Sequence, residues 1–532
     1  MSKFLTLVFI LLQLHAFAQS QSYIEFWDDA GKHKRTEGVY ERGLEHGTWK
    51  FWFENTNLQE EANYFFGKLH GAVLRYHDNG LLMNEGYFIL GRQDSIMRVW
   101  SKDSVLLEEG FFQKDSKVGT WKYWHKDGQL ELEELYTDSL TKIMFYRDQN
   151  SEVTLENGTG VYNDRYEDGN LRESTTYKDG VPNGKSMVYF ASGDVYQEGE
   201  YSNAKKTGPW ITYLRSGKIE QSNAYVDGEL DGEFKKWFRS GQLEVEGQYK
   251  KGKKTGHWIW YLPEGAIDME GDFSNDLQEG FWKYYYANGG VQYQGDYSAG
   301  KMEGTWNYYY WNGSDWKTGD YKAGEKTGKW QFWFENGQLL QEGVFANDKE
   351  EGEWKSWYEN GKPKDLGSFT AGKISGHWEG WYPNGIRIYS GDWLSDLRTG
   401  DWSFWNESGK LNEKGKYLNG EKTGVWETYN DYGIPEMIGE YKNGRPHGKW
   451  EYYGDNGAPI RSQEYNEGKM HGKGVNYARN GKAVEVLNYK NGRKDGDYIQ
   501  YNERTGEKER HYVYENGMLL KVVLEARGGA KQ

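Results

Sequence analysis

Apolar and polar residues alternate along short segments that recur throughout the chain. In the segment 243–249, Leu, Val, Gly and Tyr occupy the odd positions, whereas Glu, Glu and Gln occupy the even ones. A period of two is typical of a β-strand with one buried face and one solvated face. A second aromatic segment with Phe234 and Trp237 precedes it, and Ser240-Gly241 separates the two. The pattern therefore predicts a β-hairpin.

The predicted hairpin recurs with a fixed period. Counting in steps of 24 from Gly160 to Gly496 meets a glycine at each of fifteen positions. Self-similarity at a fixed period of roughly 20 to 50 residues is the signature of a repeat protein. The turn recurs as well, and Asn-Gly is a strong hairpin signal. Its copies include Asn288-Gly289, Asn312-Gly313, Asn336-Gly337, Asn360-Gly361 and Asn384-Gly385.

The period predicts the fold class. We expect an all-β protein that forms an elongated, twisted single antiparallel sheet of about twenty stacked β-hairpin repeats. A lone hairpin buries too little apolar surface to offset the entropy lost when its backbone is ordered, so neighbouring copies must stack. Where the second turn of a copy lacks glycine, it offers Asp276, Asp348 or Asp396, which tolerate positive φ angles.

A tryptophan column provides the predicted core. Tryptophan stands two residues after the periodic glycine in most copies, as Trp258 and Trp282 do. Gly271 and its equivalents fall on the apolar face of the second strand, where a missing side chain leaves room for an indole. We therefore predict that each tryptophan lies over a glycine.

The periodicity is interrupted once. Gly119 and Gly160 lie 41 residues apart, which is not a multiple of 24. The interruption is interpreted either as a degenerate hairpin or as a hinge between two blocks. The predicted organisation is a signal peptide at 1–18, an N-terminal repeat block at 19–137, an irregular break at 138–160, a C-terminal repeat array at 161–520 and a tail at 521–532.

A second aromatic column lies five residues after the periodic glycine. Strict pleating places it on the face opposite the tryptophans, because the two positions differ by an odd number. Alternatively, a bulge or a local twist turns these rings into the same core. If the rings face solvent, they form a candidate binding surface. The column comprises Trp237, Tyr261, Tyr285, Tyr309, Trp333, Trp357, Trp381, Trp405, Tyr429 and Tyr453.

The N-terminus predicts export. Lys3 precedes an apolar run from Phe4 to Leu14, and Ala16 to Ala18 provides a small-residue cleavage site. This is the pattern of a secretory signal peptide. The apolar run is too short to span a bilayer, and we expect no transmembrane segment in the mature chain. The expected location is periplasmic, cell-surface or secreted, and the absence of cysteine excludes disulfides and thiolate chemistry.

Composition and motifs argue against several classes of function. The formal net charge is -15 without a basic stripe, so we expect no nucleic-acid partner. Histidines such as His46, His257 and His447 adjoin periodic glycines and are predicted to be turn residues rather than ligands. No zinc-protease, nucleophile-elbow, P-loop or dinucleotide motif is present. We therefore expect no enzyme activity, catalytic residue, metal or cofactor.

One run of residues carries a resemblance to a known family. Gly247, Tyr249, Gly252, Gly256 and Trp258 spell G-x-Y-x-x-G-x-x-x-G-x-W. This run resembles the membrane occupation and recognition nexus (MORN) repeat. Tryptophan in place of the family's last glycine is similar to the bacterial variant found in proteins labelled YwqK-type antitoxins. The resemblance implies a single elongated sheet of hairpins that serves as a scaffold, dimer or binding platform.

These observations favour one function and leave two alternatives. The leading hypothesis is a noncatalytic exported repeat scaffold that binds an unidentified protein through an elongated β surface. The first alternative is glycan or cell-wall binding through a ladder of aromatic rings. The second is an antitoxin-like protein that neutralises a partner toxin, which would require the chain to stay in the cytoplasm. The oligomeric state stays open.

Overall fold

The protein consists of β-strands throughout the part that the structure describes. The structure is a computed structural model that describes residues 20–525, in which 43 strands and no helix are found. The chain divides into two compact units, Met1–Lys253 and Lys254–Gln532. The predicted all-β fold class is confirmed, and 43 strands agree with about twenty hairpins. The predicted signal peptide at 1–18 lies outside the described residues.

The first unit contains the strands β1 to β20. Their bounds are β1 Ser20–Phe26, β2 Lys34–Glu41, β3 Leu44–Trp52, β4 Leu58–Phe65, β5 Lys68–Tyr76, β6 Leu82–Ile89, β7 Arg92–Trp100, β8 Leu106–Gln113, β9 Ser116–Trp124, β10 Leu130–Tyr136, β11 Thr141–Arg147, β12 Val153–Glu156, β13 Thr159–Arg165, β14 Leu171–Lys178, β15 Val181–Tyr189, β16 Val195–Ser202, β17 Lys205–Tyr213, β18 Ile219–Val226, β19 Glu229–Trp237 and β20 Leu243–Lys250.

The second unit contains the strands β21 to β43. Their bounds are β21 Lys253–Tyr261, β22 Ile267–Ser274, β23 Leu277–Tyr285, β24 Val291–Ser298, β25 Lys301–Tyr309, β26 Asp315–Lys322, β27 Glu325–Trp333, β28 Leu339–Ala346, β29 Lys349–Trp357, β30 Pro363–Thr370, β31 Lys373–Trp381, β32 Arg387–Leu394, β33 Leu397–Trp405, β34 Leu411–Leu418, β35 Glu421–Tyr429, β36 Pro435–Lys442, β37 Arg445–Tyr453, β38 Pro459–Asn466, β39 Lys469–Tyr477, β40 Ala483–Lys490, β41 Arg493–Tyr501, β42 Lys508–Glu515 and β43 Met518–Glu525.

Each unit is an antiparallel sheet whose strands pair in chain order. In the first unit the pairing runs from β1 with β2 to β19 with β20, and in the second from β21 with β22 to β42 with β43. One 24-residue period consists of a nine-residue strand, a five-residue turn, an eight-residue strand and a two-residue turn, as β21 to β23 illustrate. The period is therefore set by the length of one hairpin and its connection.

The two kinds of turn differ from the simplest expectation for Asn-Gly. Asn288-Gly289 lies in a five-residue turn, where Gly289 has a φ of 83° and Asn288 Oδ1 accepts a bond from Gly290 N. The tight turn of the repeat is the other one, which has two residues and connects one hairpin to the next. At Asn275 and Asp276 both φ angles are positive, at 52° and 69°, as the tight turns that match strand twist require. The predicted role of Asp276 as a turn residue is confirmed.

The periodic glycine makes a bulge in every second strand junction. Between β26 and β27, Thr318 pairs with Gln331 and Asp320 pairs with Thr327, so that the three residues 328–330 stand opposite Gly319 alone. Gly328 has a φ of 64°, which an L side chain rarely adopts. Extra residues on one strand bend it and redirect the side chains that follow. The 24-residue step therefore marks a repeated bulge.

The bulge places Trp330 over Gly319, which confirms the predicted stacking of tryptophan on glycine. A Cβ atom added to Gly319 would overlap the indole ring of Trp330. The indole is fully buried, and its nitrogen donates a hydrogen bond of 3.2 Å to the carbonyl oxygen of Asp320. The same bond to the residue ten positions earlier is made by Trp49, Trp121, Trp210, Trp282, Trp306, Trp354, Trp378, Trp402, Trp426 and Trp450.

Copies that lack the tryptophan also change its partner. Ser186 stands at a tryptophan position, and Thr175 stands at the matching glycine position. Their hydroxyls lie 2.7 Å apart in a hydrogen bond, and both residues are buried. In another copy the sizes are exchanged, since Gly474 replaces the tryptophan and Gln463 fills the space. In these copies the space at the bulge is therefore filled by a large and a small residue, or by two residues of moderate size.

The break at 138–160 contains shortened strands. It includes β11 and the four-residue β12, and it ends at the start of β13. β11 pairs with β12 and β12 with β13, both antiparallel, so that strand pairing continues through the segment. Leu155 of β12 and Tyr146 of β11 are buried. The proposed division into repeat blocks at this segment stays a prediction.

We expect Gly319→Ala to lower the free energy of unfolding by about 1–3 kcal/mol, because the added methyl group overlaps Trp330 in a closely packed site. Urea unfolding followed by circular dichroism measures the change. Lys322→Ala on the same strand is the control, since Lys322 is exposed.

Gly319→Thr combined with Trp330→Ser copies the pair Thr175 and Ser186. The combination should recover stability relative to Gly319→Thr alone, and failure to recover it would argue against size complementarity at the bulge.

Candidate functional site

The ten predicted surface residues occupy one equivalent position in the structure. Each is the last residue of the nine-residue strand of its hairpin, and each is half-buried. We call this set the aromatic column. Trp237 belongs to the first unit, and the other nine belong to the second. The column comprises Trp237, Tyr261, Tyr285, Tyr309, Trp333, Trp357, Trp381, Trp405, Tyr429 and Tyr453.

The column faces away from the tryptophans of the core. On β37, the hydroxyl of Tyr453 donates a 2.9 Å hydrogen bond to Glu451, two residues earlier on the same strand and hence on the same face. Trp450 and Tyr452 alternate with them, and Trp450 is buried on the other face. Tyr429 contacts Glu427 in the same way. The rings of these copies lie on the face opposite the core tryptophans, as predicted, although the pairing register shifts between Tyr452 and Tyr453. The alternative that a bulge turns these rings into the core is wrong for these copies.

Carboxylates bind the hydroxyls of three tyrosines of the column, Tyr285, Tyr429 and Tyr453. Tyr285 donates a hydrogen bond of 2.5 Å to Glu270 on the neighbouring strand. Burial and this carboxylate raise the pKa of Tyr285 to about 12, and the same hydrogen bond lowers the pKa of Glu270. In the copy at Tyr453, burial and Glu451 likewise raise the pKa of the tyrosine to about 12. These rings are fixed in orientation rather than free to rotate.

Basic and acidic side chains form ion pairs around the column. On the same face, Lys329 pairs with Glu342 at 2.8 Å and Arg387 pairs with Glu379 at 2.9 Å. The guanidinium of Arg387 also lies 5.5 Å from the ring centroid of Trp405. A shallow cleft of about 300 Å³ lies beside the first of these pairs and is lined by Lys329, Glu342, Gly343, Val344, Glu353 and Lys355. The face therefore combines aromatic rings with mixed charge.

A ladder of hydrogen bonds fixes the backbone of the column from one repeat to the next. The hydroxyl of Tyr286, which follows Tyr285, donates to the carbonyl oxygen of Tyr309 at 2.8 Å. Tyr310 makes the equivalent bond to Trp333 at 2.8 Å. Each bond links residues 23 positions apart, so it joins adjacent repeats. The spacing of the rings is therefore set by the sheet, at about 10 Å for every second strand.

Cations cover the opposite face, and the sequence analysis missed them. Lys206 lies over the ring of Trp210 at 3.9 Å, and Lys422 lies over Trp426 at 3.8 Å. Burial lowers the pKa of Lys206. The signal in the sequence is a basic residue four positions before the tryptophan. The same contact occurs at Lys117, Lys254, Lys326 and Arg398.

The histidines next to periodic glycines lie in strands, so their predicted placement in turns is wrong. His257 is in β21, and its ring contacts Asp272 at 2.9 Å. His377 Nδ1 contacts Asp392 at 2.7 Å and His377 Nε2 contacts Ser390 at 2.9 Å. This connectivity matches that of a Ser-His-Asp triad, but the His377 side chain is 55% exposed. Triad catalysis also needs oxyanion donors in a water-excluded site. The absence of enzyme activity stays a prediction.

Two further features bear on the site. Over residues 20–525, no three His, Cys, Asp or Glu side chains come together as possible metal ligands. The same residues contain no helix of the length and hydropathy needed to cross a membrane.

The fold and the repeated faces define a β-hairpin repeat protein. Seven segments match the family profile described as MORN repeat variant, and each segment covers one hairpin. Their residues are 45–65, 117–138, 230–251, 278–299, 326–347, 350–370 and 398–419. The chain is therefore a MORN repeat protein of the variant type, and the resemblance found in the sequence is confirmed. No curated protein matches the chain.

Solved structures offer only distant likenesses. The crystal structure of TcdB2-TccC3 is 9% identical with a TM-score of 0.12, and the match covers 94% of this chain and 35% of that one. The structure of a Photorhabdus luminescens Tc holotoxin pore is 9% identical with a TM-score of 0.12, covering 93% and 32%. The chain thus spans about a third of the length of these structures. At such TM-scores the likeness carries no argument.

Stability is expected to fall steeply in alkaline solution. The pKa of Tyr136, Tyr177, Tyr285 and Tyr453 rises from 10.0 to about 12 in the folded protein, in each case with burial as the largest cause. The folded state therefore binds more protons than the unfolded state between these values. The stability contribution is complete below pH 10 and is lost as the pH rises toward 12.

Urea unfolding at a series of alkaline pH values measures this loss. Tyr285→Phe should reduce the pH dependence, whereas the matched variant at Tyr432, which is 79% exposed, should leave it unchanged. Stability that stays constant over this pH range would contradict the prediction.

Proposed function

We propose that the protein is a noncatalytic, exported repeat scaffold that binds another protein through the face bearing the aromatic column. The observation that carries this proposal is the repetition of half-buried Trp and Tyr rings at one position of nine successive hairpins in the second unit. Trp, Tyr and Arg contribute most to the energy of protein interfaces. A row of fixed rings offers equivalent anchors at regular spacing.

The charges around the rings support a protein partner. Lys329 with Glu342 and Arg387 with Glu379 place both signs within a few strands. A nucleic acid would require a continuous basic surface, and this face does not provide one. Mixed charge around aromatic anchors resembles the polar rim and apolar centre of a protein interface. Exposed ion pairs of this kind contribute little to stability, so they are available to select a partner.

The repeat spacing supports binding by several weak contacts at once. Successive rings lie about 10 Å apart, so an extended or repetitive partner can contact several rings together. Contacts made in series raise the overall affinity above that of any single copy. We infer that affinity depends on the number of consecutive column rings rather than on one residue.

The N-terminal sequence supports the location. The apolar run from Phe4 to Leu14 and the small residues that end at Ala18 favour export, which places the partner in the periplasm, on the cell surface or in the medium. Glycan or cell-wall binding is the second candidate, because the same rings can stack on sugar rings. An antitoxin-like role requires the full-length chain in the cytoplasm.

The test replaces three consecutive indoles, with Trp333→Ala, Trp357→Ala and Trp381→Ala in one variant. We expect the triple variant to fold, because these rings lie outside the tryptophan core, and to lose at least tenfold in the recovery of crosslinked partners from the native cell envelope. Three roughly additive losses of about 1 kcal/mol in binding free energy correspond to a decrease in affinity of more than this tenfold factor. Quantitative mass spectrometry compares the wild type and the variant.

The matched control carries Glu325→Ala, Lys349→Ala and Lys373→Ala, which change exposed residues at the first position of the same three strands. It should capture the same proteins as the wild type. Unfolding of the tryptophan variant by circular dichroism, or capture equal to that of the wild type, would contradict the proposal. Loss of retention on peptidoglycan or polysaccharide columns, with protein capture unchanged, would favour the glycan alternative instead.

A further inference from the structure

One cavity in the second unit lies on the tryptophan face, away from the aromatic column. It has a volume of about 190 Å³, whereas a water molecule occupies about 30 Å³ in the liquid. Its walls include the rings of Trp354, Phe369 and Trp378 and the carboxylates of Glu350 and Asp365. Phe369 meets Trp354 edge to face at 5.9 Å and Trp378 at 5.3 Å between ring centroids.

The cavity lies where one repeat lacks a ring. Four residues after the periodic glycine, most neighbouring repeats carry an aromatic residue that packs beside the core tryptophan, such as Tyr308, Phe332 and Phe404. The corresponding residues here are Ser356 and Gly380, but the ring of Tyr389 fills the space beside Gly380. The row of rings is therefore interrupted at Ser356, and Trp378 is more exposed than the buried core tryptophans on either side.

The same repeat lacks the cation that covers six other core tryptophans. Lys326 lies over Trp330 at 5.1 Å, Arg398 over Trp402 at 4.7 Å and Lys422 over Trp426 at 3.8 Å. In each case the basic residue stands four positions before the tryptophan. Before Trp354 that position is Glu350. The negative face of an indole attracts a cation, so a carboxylate in this place reverses the charge of the usual partner.

The second carboxylate is held in place but has no ion-pair partner. Asp365 accepts hydrogen bonds from the hydroxyl of Tyr389 at 2.8 Å and from the hydroxyl of Ser356 at 3.2 Å. Burial and Asp365 together raise the pKa of Tyr389. Across residues 20–525, no Lys, Arg or His forms an ion pair with Asp365 or Glu350. Lys355 is also among the lining residues, and its ammonium pairs with Glu353 at 2.6 Å.

We propose that this cavity binds an alkylammonium group, which is the chemistry of a lysine side chain or of a free primary amine. Aromatic walls with carboxylates at the rim suit a cation that carries apolar methylene groups. The repeats themselves supply the precedent, because an internal ammonium or guanidinium occupies the equivalent place over Trp330, Trp402 and Trp426. The site is independent of the aromatic column, since it lies on the other face.

The test titrates the full chain with n-butylammonium and with Nα-acetyl-lysine amide, and follows tryptophan fluorescence and calorimetric heat. n-Butanol and the Nε-acetylated lysine amide are the neutral counterparts. We expect the charged probes to bind at least tenfold more tightly than the neutral ones. Tighter binding of the lysine amide indicates a lysine side chain as the source, and tighter binding of n-butylammonium indicates a free amine. Equal binding of charged and neutral probes would overturn the proposal.

Glu350→Lys restores the basic residue of the neighbouring repeats and should fill the cavity from within. We expect it to abolish probe binding while the thermal unfolding midpoint stays at or above that of the wild type. Gln278→Lys is the matched control, because it introduces a lysine four residues before Trp282, where Tyr284 keeps the row of rings complete. It should leave probe binding unchanged.

Asp365→Asn provides a second variant that does not add a cation. It keeps the size of the side chain and should weaken binding of the charged probes at least fivefold without affecting the neutral ones. Undiminished binding in both folded variants would place the probes elsewhere and would refute the proposal.

Discussion

The overlap between one glycine and one indole is the constraint on which the repeat depends. Trp330 occupies the space that a side chain at residue 319 would need, and its nitrogen donates a hydrogen bond to the carbonyl oxygen of Asp320. The bulge in turn requires the positive φ of Gly328. Three positions of each repeat are therefore coupled, which is why the glycine period in the sequence is so regular.

This coupling separates the two faces of the sheet. Because the indoles are buried on one face, the rings five residues after the periodic glycine stay on the other, as the bond between Tyr453 and Glu451 shows. The first face holds the repeats together, and a local change at Ser356 can open a cavity there without loss of the bulge. The second face carries fixed rings and ion pairs that stability does not require. A stable scaffold can therefore keep a variable surface.

The sequence analysis predicted the hairpins, the period and the stacking of tryptophan on glycine, because each rests on local alternation or on a fixed spacing. It did not predict that Asn288-Gly289 would lie in a five-residue turn, since Asn-Gly indicates a turn without setting its length. It placed His257 in a turn because glycine is common in turns, whereas Gly256 and His257 lie inside β21. The face of the sheet on which the column lies depends on whether the bulge preserves the alternation of side chains. Residue spacing alone does not determine this.

The cation contacts and the cavity were beyond the sequence analysis for a different reason. In each copy that has this contact, the basic residue stands four positions before the tryptophan. In the copy with Lys326 and Trp330, a bulge between the two residues brings the ammonium over the ring. Glu350 becomes informative only when that geometry is known. A residue that departs from the repeat is therefore best interpreted by comparison with the contact that the equivalent residues make in the other copies.

The central claim is that each bulge joins only neighbouring repeats, so that stability is a sum of local terms. Hydrogen exchange of the Gly319→Ala variant, resolved by mass spectrometry of peptides, tests it most directly. The account predicts faster exchange in β26 to β28, around the altered bulge, and unchanged exchange in β35 to β39 of the same unit. Uniformly faster exchange across the second unit, or no change at β26 to β28, would contradict it.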